Sequence, residues 1–327
     1  MSIFSLAPPL QLCYNDLQIF EAKHFPRLQA RLFRRRRPFF HMRKHRRPRR
    51  AARAALVLAL CAALVLFIHW SNSALQVTTA DAVLSGLPEG FDGCRVVVLG
   101  DLHTAVFGPD NEALLRTVGE QDPAYIFLVG DLLDCRRPVP DGYVETVAGG
   151  LASIAPTYYV TGNHEWALGG VPALKKALSD SGVSVLSNTF VPLTRNGDTL
   201  VLAGIDDPNG YADQKPPEAV AQEVSEAWGD GFWMLLAHRN DLFPHHYSLL
   251  GADLVISGHG HGGLIRLPFT DGLISTDHTL FPSYTAGLYE KNGSTLFVTR
   301  GLGNSGPSFR LFNRPEIAVL TLHRGNA

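Results

Sequence analysis

Seven side chains suited to binding divalent cations stand at the ends of five apolar runs. The runs read VVVLGDLH (96–103), YIFLVGDLLD (125–134), YYVTGNHE (158–165), WMLLAH (233–238) and LVISGHGH (254–261). Short runs rich in β-branched and aromatic residues and bounded by glycine have the pattern of buried strands. In an α/β sheet, ligands collect in the crevice beyond the carboxyl ends of the strands. Asp101, His103, Asp131, Asn163, His238, His259 and His261 are therefore expected on one rim. Oxygen and imidazole donors with no thiolate suit a hydrolytic divalent-metal site rather than a structural zinc knot.

The elements that must position this rim follow from the spacing. Helical stretches at 111–120, 141–154, 171–181 and 218–228 alternate with the strands, the pattern of an α/β layered domain. Further strands are expected at 183–186, 190–194, 199–205, 295–299 and 317–322, separated by turns such as Asn196-Gly197 and Asn292-Gly293. The second of these turns fits a two-residue hairpin loop. The sum is an α/β fold of two packed sheets with helices outside, a four-layer αββα sandwich. Asp206 and Asp207 end one more apolar strand; they either support the rim from behind or occupy a solvated turn. His245, His246 and His278 stand outside the motif order and read as polar surface.

Of the 327 residues, 29 are basic and 30 acidic, and they are segregated. Residues 1–53 hold 14 of the basic residues but only Asp16 and Glu21, a balance of +12, which leaves −13 for the rest. Directly after Arg53 come 17 residues (54–70) with no formal charge at neutral His69, ending in Trp70. That is the short end of the range for a membrane-spanning helix, with Trp70 as an interfacial anchor. Arginines before the span predict a cytoplasmic N-terminus, hence a plasma (inner) membrane protein whose catalytic part is extracytoplasmic. The expected organisation is a basic tail at 1–53, the anchor at 54–70, a linker at 71–92 with an edge strand at 75–79, and the main domain at 93–323. The lack of a strong A-x-A cleavage site favours a retained anchor. The first 41 residues are either a tail or lie upstream of a start at Met42. Beside an apolar span, the arginine cluster is a topology signal that touches anionic lipid rather than a nucleic-acid arm. Cys94 and Cys135 are expected at opposite ends of parallel strands, too far apart to bridge.

Each motif alone is weak. In this order, each after an apolar strand, DxH, GDxxD, GNHE, a lone His and GHxH resemble the calcineurin-like metallophosphoesterase superfamily. The basic stretch, the single span and the segments GGLIRLPF, YTAGLYEKNG and RGLGNSGP resemble its bacterial transmembrane branch. The resemblance implies two divalent cations, Mn²⁺, Fe²⁺ or Zn²⁺. It assigns Asp101, His103 and His261 to one cation, Asn163, His238 and His259 to the other, and Asp131 as the bridge. It further implies that hydroxide shared by the cations attacks phosphorus while His164, oriented by Asp134, protonates the leaving group. Protein phosphatases of the superfamily carry Arg directly after GDxxD. Here Cys135 stands there, followed by Arg136 and Arg137, which argues against a phosphoprotein substrate. The last motif reads GHGH where the branch more often has GHTH, so Gly260 is a departure. Arg239 and Arg136 are the substrate-phosphate contacts to test, an ordinary ion pair being the other reading of Arg239. The expected activity is phosphodiester hydrolysis of a lipid-linked or other cell-envelope substrate. The alternatives are a pyrophosphate hydrolase acting on UDP-2,3-diacylglucosamine, which would require a cytoplasmic active site, and a non-catalytic lipid-binding protein on the same scaffold.

Overall fold

The computed structural model describes residues 47–267, 272–275, 279–305 and 309–325. The arginine cluster before residue 47, Met42 and His278 lie outside the described residues. The chain divides into two compact units, residues 1–65 and 66–327. Helix α1 (Arg47–Ser73) begins in the first. Its Ala- and Leu-rich composition favours helix at nearly every position. The stretch Arg50–Ser73 is long and apolar enough to cross a membrane, with mean hydropathy 2.5 over its best window and none of that window buried.

The second unit runs through β1 (Gln76–Leu84), β2 (Cys94–Leu99), α2 (Glu112–Gly119), β3 (Tyr125–Val129), α3 (Tyr143–Ile154), β4 (Thr157–Val160), α4 (Asn163–Leu168) and α5 (Val171–Asp180). Then come β5 (Ser184–Val185), β6 (Thr189–Arg195), β7 (Asp198–Gly204), α6 (Pro217–Trp228), β8 (Trp233–Arg239) and β9 (Leu254–Gly258). It closes with β10 (Ile265–Arg266), β11 (Gly272–Ile274), β12 (Gly287–Lys291), β13 (Ser294–Val298) and β14 (Glu316–Arg324). Two six-stranded sheets form, ordered β1-β14-β2-β3-β4-β5 and β12-β13-β9-β8-β7-β6, beside a small β10-β11 pair. Strands β2 to β5 are mutually parallel, as are β7, β8, β9 and β13. The strand ends that carry the motifs therefore point the same way within each sheet.

The alternation of side chains explains the layers. Val96, Val98, Phe127 and Val129 of one sheet face Leu202, Leu236 and Ile256 of the other across a common core. Val97, Leu99, Ile126 and Leu128 face outward onto Leu114, Val147 and Leu174 of α2, α3 and α5. On the other sheet Val201, Leu235 and Val255 are covered by Val220 and Val224 of α6. The result is the expected αββα sandwich. Strands covered on both faces read as unbroken apolar runs, which is why the central ones are plain in the sequence.

Within residues 71–92 the expected edge strand at 75–79 is present and longer than expected. β1 is nine residues long and pairs in parallel with β14, from Gln76↔Glu316 to Leu84↔Arg324. Its sequence QVTTADAVL is half-polar because it lies at a sheet edge, and its pairing with β14 carries it five residues past the expected end. GNHE opens a short helix, α4, rather than ending a strand. Both Asn-Gly turns close two-residue hairpins, Arg195↔Asp198 and Lys291↔Ser294. The central φ values are 51° and 88° in the first and 53° and 80° in the second, the left-handed pairs of a type I′ turn. Among the described residues no disulfide joins Cys94 to Cys135.

Candidate metal centre

All seven expected ligands converge. Asp101 and His103 follow β2, Asp131 follows β3, Asn163 opens α4, His238 lies near the end of β8, and His259 and His261 follow β9. Five of them hold positive φ: Asp101 at 50°, His103 at 48°, Asp131 at 52°, His259 at 70° and His261 at 47°. Such backbone is costly for residues with a Cβ and clusters where function requires it. It turns each side chain back over the strand ends. The turns are tied together, since Asp101 N–H donates to Gly130 O (3.0 Å) and His103 N–H to Asp131 O (2.9 Å). Gly162 is needed for a close approach, because a Cβ there would lie 2.2 Å from Asp131 Oδ1.

The donor atoms face one another in two groups. His103 Nε2 lies 3.1 Å from His261 Nε2, and His261 Nε2 lies 3.6 Å from Asp101 Oδ1. His238 Nε2 lies 3.2 Å from Asn163 Oδ1, from His259 Nδ1 and from Asp131 Oδ2. Asp131 Oδ2 also lies 3.7 Å from His103 Nε2, so this carboxylate stands between the groups. Ligands at about 2.1 Å from one cation lie roughly 3.0–3.4 Å from each other in octahedral or tetrahedral geometry. The residues fit a pair of cations by spacing and by chemistry.

Electrostatics agree with that fit. Burial holds His103, His259 and His261 below the usual imidazole range, in the neutral form that can donate a lone pair. Burial opposes the charge on Asp131 and on His238. Their mutual attraction outweighs it, holding the carboxyl well below its usual range and pushing the imidazole up to about 10. A proton between these two competes with a cation, so metal affinity falls as pH falls.

His164 and Asp134 sit beside the groups. His164 Nδ1 is 3.2 Å from Asp134 Oδ1, and Arg137 Nε is 3.4 Å from Asp134 Oδ2. Burial lowers the affinity of His164 for a proton. The Asp134 hydrogen bond, with help from Cys135 and Asp131, overcomes it and pushes His164 up to about 10. An imidazole that is protonated and partly accessible can give up a proton to a leaving group. The expected phosphate contacts fare differently. Arg239 is paired with Asp207, Nε to Oδ2 at 2.8 Å, and thus takes the ion-pair geometry. Arg136 has an exposed side chain and meets the site through its backbone N–H, 3.0 Å from Asp134 Oδ1. Asp206 holds Thr161 Oγ1 (2.8 Å) and Lys175 Nζ (2.7 Å), while His246 pairs with Glu218 at 2.6 Å, away from the motif order.

Three residues not expected in the site brace it. Glu165, fully buried, accepts the N–H groups of Gly162 (2.7 Å), Leu133 (2.9 Å) and Asp131 (3.1 Å), clasping two motif loops. Burial, then the charge of Asp131, pushes its carboxyl up to about 7. The signal was present in the tetrapeptide GNHE, whose last residue reaches back to the helix start. Arg310, also buried, donates to Arg300 O (2.8 Å) and Gly303 O (2.7 Å) and places Nη2 3.2 Å from His261 Nδ1. Asn72, in the last turn of α1, accepts Arg310 N–H (2.7 Å) and Asn304 Nδ2 (2.9 Å) on its side-chain oxygen. No local pattern announces Arg310 or Asn72, because their partners lie up to 238 residues away.

A family model described as calcineurin-like phosphoesterase matches residues 94–263, the stretch that carries the five ligand-bearing runs. The chain belongs to the calcineurin-like phosphoesterase family. The uncharacterized metallophosphoesterase YkuE of Bacillus subtilis is 30% identical over 261 residues, covering 76% of this chain and 86% of that protein. The phosphodiesterase YaeI of Escherichia coli is 28% identical across 70% of this chain and 82% of its own length. A transmembrane protein with metallophosphoesterase domain from Danio rerio is 28% identical across 81% of this chain, which spans 62% of that relative. As a member of the family the chain is a hydrolase of phosphoester bonds.

Proposed function

We propose that this hydrolase is a membrane-anchored phosphodiesterase that works with two divalent cations on a lipid-linked or other cell-envelope substrate. The observation that carries the reading is Asp131, flanked by Asp101, His103 and His261 on one side and Asn163, His238 and His259 on the other, with donor atoms at ligand spacing. Mn²⁺, Fe²⁺ and Zn²⁺ all suit these donors. The cations would supply charge neutralisation for phosphate oxygens and a nucleophile from water near neutral pH.

The chain's own groups do the rest. Asp131 holds both halves in one frame. His164 presents Nε2 to the leaving oxygen and gives it a proton, while Asp134 on Nδ1 fixes the ring and stabilises its charge. Glu165 keeps the loops of Asp131 and His164 in register. The phosphodiesterase reading is supported by the relative YaeI, and membrane anchoring by the exposed apolar stretch of α1 and by the transmembrane relative. The basic residues 1–53 would stay in the cytoplasm and the catalytic unit would face outward.

The test uses the full chain in phospholipid nanodiscs with Mn²⁺. Bis-p-nitrophenyl phosphate should be turned over faster than the monoester p-nitrophenyl phosphate. A monoester preference would overturn the phosphodiesterase reading, and no turnover of either with any of the three metals would overturn the catalytic one. A reporter fused after Ala327 checks topology, and a strong cytoplasmic signal contradicts the outward placement.

A further inference from the structure

Four large apolar side chains stand exposed on neighbouring backbone segments. Leu280 is 65% exposed, Phe281 75%, Phe309 48% and Phe312 49%. Backbone pairing makes them neighbours. Leu311 bridges Ile265, Ile265 pairs with Ile274 in β10-β11, and Ile274 bridges Leu280. Four adjacent extended segments at about 4.8 Å spacing span only about 14 Å. Exposed large apolar side chains gathered on neighbouring segments are the composition of an interaction surface.

The same region is continuous with the last turns of α1. Phe312 packs on Phe67 with ring centroids 5.0 Å apart, and Phe67 lies 5.8 Å from Trp70. The Arg314 guanidinium sits 4.6 Å over the Trp70 ring and its Nε donates to Ala74 O at 3.0 Å. Tryptophan at the end of an apolar helix, with arginine against it, is the composition of a membrane–water interface. Phe312 is in direct contact with that end of the helix.

We propose that this surface, carried by Leu280, Phe281, Phe309 and Phe312, docks on the lipid bilayer that α1 enters. The proposal rests on reading α1 as a membrane span. It places the apolar rings in the headgroup–acyl boundary, where an apolar face beside cationic side chains is stably held. It also bears on substrate access. Near Phe309 in the chain, Arg310 Nη2 lies 3.2 Å from His261 Nδ1 and Ser305 Oγ lies 3.3 Å from His164 Nε2, beside the metal centre. A phosphoester held in the bilayer surface would thus meet the proposed proton donor without leaving the interface.

The full chain in phosphatidylcholine–phosphatidylglycerol nanodiscs tests this, with a genetically encoded environment-sensitive fluorescent residue placed singly at 60, 83, 281 or 309. Doxyl-labelled lipid is the quencher. Probes at 281 and 309 should be blue-shifted and quenched by about twofold or more, as is one at 60 inside the span. A probe at 83, roughly 23 Å along β1 from the end of α1, should be unquenched. Quenching at 60 with none at 281 and 309 overturns the docking surface and leaves the span intact. No quenching at 60 overturns the span and the docking surface together. A blue shift at 281 and 309 without lipid quenching would mean a protein surface, such as a second copy, covers the region, and also overturns the proposal.

Discussion

The two halves of the metal centre are held by different parts of the molecule. His238 is secured from within the sandwich, its Nδ1 lying 2.7 Å from Val129 O at the end of β3. His261 is secured from the C-terminal loop, by Arg310 against its ring and by Asn313 Nδ2, 2.7 Å from its carbonyl. That loop is fastened in turn to Asn72 of α1. One half therefore depends on the core of the sheets, the other on a long-range clasp that includes the end of the apolar helix. The Asp131 carboxylate stands between them, 3.7 Å from His103 Nε2 and 3.2 Å from His238 Nε2.

The largest expected effect removes what the halves share. Asp131→Ala should lower turnover of bis-p-nitrophenyl phosphate by about 10³-fold or more and reduce bound metal at both positions. Metal analysis that still finds two equivalents per chain would contradict the bridge. His164→Ala should keep both metals and lower turnover by about 10²–10⁴-fold with an alkyl leaving group. The loss should be smaller with p-nitrophenolate, which needs little protonation. An equal loss for both leaving groups would sink the acid assignment.

Breaking one half selectively sharpens the comparison. Arg310→Met should weaken metal binding beside His261 by about 10–100-fold and leave the His238 side unchanged, read as one tight and one weak site by isothermal titration. Equal weakening of both sites would show that the clasp is not local. Glu165→Gln would turn an amide NH₂ toward backbone N–H donors and should cost about 1–3 kcal/mol in denaturant unfolding. An unchanged midpoint would mean that the loops hold without it.

The smallest effect concerns the clasp's footing. Glu316, buried, receives Arg300 Nε at 2.6 Å and Thr299 Oγ1 at 2.9 Å. Burial opposes its charge, but Arg300 holds its carboxyl below the ordinary value. Because the folded-state value is depressed, this pair adds stability above about pH 4.5 and loses it as pH falls through the folded value. The stability gap between the native chain and Glu316→Gln should shrink below about pH 4.5. A gap that stays constant from pH 7 to pH 3 would contradict it.

The strand-end ligands of both halves are what the sequence makes plain. Trp233 to His238 and Leu254 to His261 are continuous apolar runs because both faces of their strands are covered, and the ligands stand where those runs stop. Arg310, Asn72 and the part of β1 beyond residue 79 were not legible for the opposite reason. An arginine in a Gly- and Ser-rich loop, an asparagine in the last turn of an apolar helix and a half-polar edge strand have no period or spacing of their own. Their roles come from partners that folding brings from the other end of the chain. Arg239 shows a third case, since a cation after a candidate ligand suits phosphate and carboxylate equally, and Asp207 decides the matter only in three dimensions.

Anomalous diffraction from crystals of the full chain grown with Mn²⁺, recorded on both sides of the manganese edge, tests the central claim most directly. Two peaks should appear, one among Asp101, His103 and His261 and one among Asn163, His238 and His259, with Asp131 between them. A single peak, or peaks away from these residues, would contradict the account.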